Sequence, residues 1–88
     1  MSATKTLPKK KIRLDILEND LNTTLKNYGL KSFSIHIPEK PDEEGIYFIS
    51  VRTKDNISIK KAIDIAVEIN KNLRDKYGEN IYLDVIPE

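Results

Sequence analysis

Few residues in this chain have the chemistry to act on a substrate. Histidine occurs once, at His36, and cysteine is absent. Without thiols, disulfides, zinc–thiolate sites and thiol catalysis are excluded. Asp84 is expected to share a sheet face with His36, and such a pair is a minimal acid–base or metal-binding set. Metal sites need three or four convergent ligands, so His36 reads as an exposed side chain at a strand end beside Pro38. Glu39, Asp42, Glu43 and Glu44 offer oxygen ligands to a hard cation. Their spacing does not match a twelve-residue calcium loop, and they read as a solvated acidic turn. The three glycines, Gly29, Gly45 and Gly78, form no phosphate-cradling loop. No serine stands in a nucleophile elbow. The pair Lys60–Lys61 opposes the dipole of the helix it begins and reads as solvated surface. These residues predict neither an enzyme nor a bound metal or cofactor.

Charge is the next candidate. Fifteen basic and fourteen acidic residues leave a net +1 over 88 residues, which argues against a polyanion binder by overall charge. The distribution is uneven. Lys5, Lys9, Lys10, Lys11 and Arg13 stand together without an acid, whereas the remaining chain is acidic on balance. A basic arm on an acidic body is one way to neutralise phosphates. The simpler reading is a solvated tail over 1–9 that precedes a single domain over 10–88.

The elements that must position these residues follow from periodicity. From about Lys10, Leu14, Leu17, Leu21, Leu25 and Tyr28 recur at helical steps, and Gly29 stops the helix with Leu30 folding back. Lys31–Ile37 alternates as a half-buried strand that Pro38 ends. After the acidic turn, Ile46–Thr53 makes a second strand in a hairpin with the first. Asp55–Asn56 breaks the pattern and Ser58 N-caps a second helix. Its expected buried stripe is Ile59, Ala62, Ile63, Ala66, Ile69, Leu73 and Tyr77, with Gly78 as the stop. Ile81–Ile86 is the third strand, parallel to the second or paired with the first. The order predicts an α+β, ferredoxin-like two-layer αββαβ sandwich, with two helices of about 20 residues on one face of three strands. Its expected core sets the helix stripes on Phe33, Ile35, Tyr47, Ile49, Val51, Ile81, Leu83 and Val85. No apolar run reaches the roughly 20 residues of a membrane span, and no secretory segment follows Met1, so a cytoplasmic protein is expected.

The face away from the helices carries the functional expectation. Alternation places Ile46, Phe48, Tyr82 and Ile86 there, with Ser34, His36, Ser50, Arg52 and Asp84 around them. Large apolar groups on neighbouring strands with no covering layer predict a partner surface, with Phe48 and Tyr82 as anchors and Arg52 on the rim. The expected occupant is a second copy, in a homodimer, or another protein. The alternative is an RNA-binding module, with Lys9, Lys10, Lys11 and Arg13 on phosphates and Phe48 and Tyr82 stacking on bases.

The stretch from Ser58 to Glu88, SIKKAIDIAVEINKNLRDKYGENIYLDVIPE, resembles the cytoplasmic C-terminal domain of cation diffusion facilitator transporters. That domain also runs helix, strand, strand, helix, strand, with an Ala- and Ile-rich second helix after an Asp-x-Ser-like turn. Its last strand ends in His-Val-Glu-Pro or a close variant, where this chain has Asp84-Val85-Ile86-Pro87. The likeness covers about a third of the chain, and the rest agrees by element order. It implies the αββαβ fold and a dimer formed through the sheet. The family's ligand positions carry Ser50, Ile63, Asp84 and Ile86 here, so at most Asp84 survives of the ligand set, and the resemblance implies the fold and the dimer more than metal binding.

Overall fold

The computed structural model describes residues 13–88. The elements are α1 (Leu14–Asn27), β1 (Phe33–His36), β2 (Tyr47–Thr53), α2 (Ile59–Tyr77) and β3 (Ile81–Pro87). Lys9, Lys10 and Lys11, and with them the expected tail and the first turn of the expected helix, lie outside the described residues.

Each helix ends where glycine allows a backbone that other residues resist. Gly29 has φ +94°. Its N–H donates to Lys26 O at 2.9 Å, and Leu30 N–H donates to Leu25 O at 3.2 Å. This double closure satisfies two carbonyls at the end of α1, and Leu30 is buried against the last turn. Ser58 caps α2, its hydroxyl accepting the Lys61 N–H at 3.0 Å.

The three strands form one mixed sheet in the order β1-β2-β3, with β1 antiparallel and β3 parallel to β2. The two helices and this sheet make two layers. Leu17, Leu21 and Leu25 of α1 join Ala62, Ile65, Ala66, Ile69 and Leu73 of α2 over Ile49, Val51, Ile81, Leu83 and Val85. Burial of each large aliphatic side chain contributes about 1.5–3 kcal/mol, which is how a domain this small stays folded. Phe33, Ile35 and Tyr47 are only half-buried at the margin of that core.

One expected stripe is corrected. Ile59 and Ile63 are 72% and 55% exposed, and Ile65 takes the buried position expected of Ile63. The inward direction of α2 is set by Ala62, Ala66, Ile69 and Leu73, and Ile63 stands about 100° around the helix from Ala62. β1 is also shorter than the expected Lys31–Ile37. The N–H groups of Lys31 and Ser32 donate to the Asp55 carboxylate at 3.0–3.1 Å. The Thr53 hydroxyl adds a 2.6 Å bond to Asp55 Oδ2. The Thr53 bond first, then the Ser32 amide, holds the Asp55 carboxyl below its ordinary pKa.

Asn70 does for β3 what a further strand would do. Tyr47 N–H donates to Asn80 O and Glu88 N–H to Thr53 O, so the even-numbered backbone groups of β3 face β2. Leu83 therefore points its N–H and C=O away from the sheet. The buried Asn70 side chain meets both, Oδ1 accepting from Leu83 N–H at 2.8 Å and Nδ2 donating to Leu83 O at 2.9 Å.

Candidate functional site: the uncovered face of the sheet

The strand register decides which side chains meet on the side without helices. Phe48 lies opposite Tyr82, Ser50 opposite Asp84, and Arg52 opposite Ile86. On the other flank, Ser34 lies opposite Arg52 and His36 opposite Ser50. Phe48, Ser50, Arg52, Tyr82, Asp84 and Ile86, together with Ser34 and His36, thus form three rows across the sheet. The rows differ in chemistry.

The first row is aromatic. Phe48 and Tyr82 have ring centroids 5.1 Å apart and planes tilted by 54°. They are 47% and 42% exposed. Tilted contact at this distance suits the ring quadrupoles and holds the two side chains as one unit. The pair leads into a groove of about 570 Å³ that also touches Ile46, Arg74, Glu79 and Ile81. Ile46 was expected within β2 beside Phe48. It precedes the strand, because Asp42 draws it into the turn. Asp42 Oδ1 accepts both Glu44 N–H and Ile46 N–H at 2.9 Å, and Asp42 N–H donates to Ile46 O at 2.9 Å. One of the acidic-loop residues is thereby assigned to building the turn.

The second row is polar: His36, Ser50 and Asp84 in that order across β1, β2 and β3. His36 and Asp84 share the face as expected, with a whole strand between them, or about 10 Å of backbone separation. A Ser-His-Asp relay needs histidine between the other two, and here serine holds the middle place. Among the described residues, no three His, Asp or Glu side chains stand together as metal ligands would. The third row holds Arg52 and Ile86, with Arg52 Nη1 3.7 Å from Glu88 Oε2. Ile86 is 36% exposed and lies on the same face as Tyr82, with Asp84 between them. Arg13, the one described member of the basic segment, lies on the helix layer, where it reaches Asp15 at 3.7 Å.

No protein-family model, curated protein or solved structure matches this chain. The site's own geometry therefore carries the functional reading. No described helix is long and apolar enough to cross a membrane.

Sequence reasoning missed Asn70 and Val67. Val67 is 53% exposed and extends Ile59 and Ile63 into a second apolar line at four-residue steps. That spacing is visible in the sequence, where it competes with the stripe through Ala62 and Ala66 for the inward direction.

Proposed function

We propose that this chain is a non-catalytic cytoplasmic interaction module that self-associates or docks a protein partner through the uncovered face of its sheet. The observation that carries this reading is the Phe48–Tyr82 pair, nearly half exposed on adjacent strands, with Ile46 beside it in the groove. Aromatic side chains held rigidly at the centre of an apolar patch lose little entropy on binding and anchor interfaces. Arg52, paired with Glu88 at the margin, suits a polar rim. The sheet-mediated dimer implied by the resemblance to cation diffusion facilitator domains uses the same face. The element order αββαβ and the two layers agree with the expected sandwich, whereas the direct parallel pairing of β2 with β3 departs from the split βαβ unit of a ferredoxin-like sheet.

A protein partner is favoured over RNA by what surrounds the aromatics. Asp42, Glu44 and Glu79 line the aromatic groove against the single cation Arg74, Asp84 follows on the same face, and Arg52 is already engaged by Glu88. RNA would need free cations along that path.

Light scattering of the full chain over a range of concentrations tests the reading. The expected result is association beyond the 10.1 kDa monomer, reduced by at least one step in Phe48→Asp while circular dichroism remains that of the folded protein. Unchanged mass and affinity in Phe48→Asp would remove the sheet face from the argument.

A further inference from the structure

The two outer edges of the sheet are treated differently. On β3 the outward groups of Leu83 are taken by Asn70. On β1, Lys54 N–H donates to Ser32 O at 2.8 Å. With the antiparallel register, this turns the backbone of Ser34 and His36 toward β2 and that of Phe33 and Ile35 outward. Among the described residues, no hydrogen bond reaches the N–H or C=O of Phe33 or Ile35 from a side chain or loop. An edge strand with free outward groups is a template for another strand.

Beside this edge runs a cleft of about 420 Å³ between β1 and α1, lined on the helix by Glu18, Asn22 and Lys26. These three stand four residues apart on one flank of α1 and read acid, amide, base. A two-fold axis through Asn22 sets Glu18 of one copy against Lys26 of the other, twice. The same axis suits the strand. Centred on Ser34, antiparallel β1 edges pair Phe33 of each copy with Ile35 of the other, and every outward N–H and C=O of those residues finds a partner. Asn22 is the midpoint of the helix flank and Ser34 the midpoint of Phe33–Ile35, and both line the same cleft.

We propose that the β1 edge, with the Glu18–Asn22–Lys26 flank of α1, is an interface for a second copy of this chain. Two three-stranded sheets then join into one of six strands. The half-buried Phe33 and Ile35 gain cover beneath the paired α1 helices. The occupant is fixed by the charge order, which is complementary to itself only under this rotation. The interface is distinct from the uncovered sheet face and does not depend on it.

Cross-linking of the full chain tests the proposal cleanly, because no native cysteine competes. In the joined sheet Ser34 faces Ser34 as a non-hydrogen-bonded pair with Cα atoms about 4.5 Å apart, within disulfide range. Ser34→Cys is expected to form a disulfide dimer under mild oxidation. Adding Lys26→Glu should lower the yield at least about fivefold, since like charges then meet at both ends of the helix pair. Adding Glu18→Lys as well should restore it, because the pair is only inverted. Phe48→Asp in the Ser34→Cys background should leave the yield unchanged. A yield indifferent to Lys26→Glu, or one that the double exchange does not rescue, overturns the interface. A yield abolished by Phe48→Asp also overturns it and assigns the contact to the sheet face. Mass and affinity unchanged by Phe48→Asp, with the disulfide still formed, instead remove the sheet-face reading alone.

Discussion

The edges of this sheet are two solutions to one problem. β3 ends the sheet against a buried carboxamide that matches both hydrogen-bonding groups of Leu83. β1 ends it with four residues and outward groups that meet no described partner. The closed edge lies under α2, the longer helix, whose turns bring Asn70 into contact. The open edge lies beside α1, which packs leucines on the core and leaves a charged flank along the cleft. Closure of a strand edge thus depends on whether a helix delivers one amide at the right turn. An edge left unclosed is available to a partner.

The comparison breaks most completely if the shared strand between the edges is weakened. Ile49 on β2 is fully buried in the core beneath the helices, opposite Leu83 of β3. Ile49→Ala is expected to cost about 2–5 kcal/mol, from lost burial and the cavity left behind. Urea unfolding followed by circular dichroism measures it. Phe48→Ala, one residue away on the other side of the same strand, should change stability by less than about 1 kcal/mol, because its ring is nearly half exposed.

A more selective break removes the closure itself. Asn70→Leu leaves Leu83 N–H and C=O without partners in a buried setting, at an expected cost of about 2–3 kcal/mol. Hydrogen exchange reads the cause directly. The Leu83 amide should be strongly protected in the native protein and lose that protection in Asn70→Leu beyond the general loss in stability. An equal loss across all β3 amides would show that Asn70 supports packing and not the edge. Smaller still is Ser58→Ala, which frees the Lys61 amide at the start of α2. Its expected cost is about 1 kcal/mol, seen as a lower urea midpoint with an unchanged slope.

Much of this arrangement was legible from spacing, and the rest was not for physical reasons. Gly29 and Leu30 announced the end of α1, because only a left-handed residue followed by an apolar one closes a helix that way. The alternation of β2 and β3 placed Phe48, Arg52, Tyr82 and Ile86 on one face, and the register agrees. Ile59 and Ile63 were misassigned inward because α2 carries two overlapping apolar lines, and only packing against the sheet chooses between them. Asn70 gave no signal, since a polar residue on a buried flank looks like an interruption until its strand partner is known. The turn role of Asp42 and the anchoring role of Asp55 were hidden likewise, because a carboxylate's acceptors serve whichever amides the fold brings near.

Asp55 offers the finest adjustment, because pH can switch it. Its carboxylate fastens the start of the open-edge strand through Lys31 N–H, Ser32 N–H and the Thr53 hydroxyl. These bonds favour the ionised form and lower its pKa in the folded protein. A group with a depressed folded pKa contributes stability that is full above its unfolded pKa and is lost as pH falls through the folded one. Stability should therefore decline below about pH 4, the unfolded range for aspartate, as this carboxylate takes up a proton. Asp55→Asn retains one acceptor oxygen and removes the charge. It should lower the thermal midpoint at neutral pH and flatten the acid limb, so that the two proteins converge at low pH. Parallel acid limbs in the two proteins would mean that other carboxylates carry the pH dependence and that β1 is held by its ladder to β2. Convergence would show that the open edge is held in place by a charge at its end, as the closed edge is by an amide at its middle.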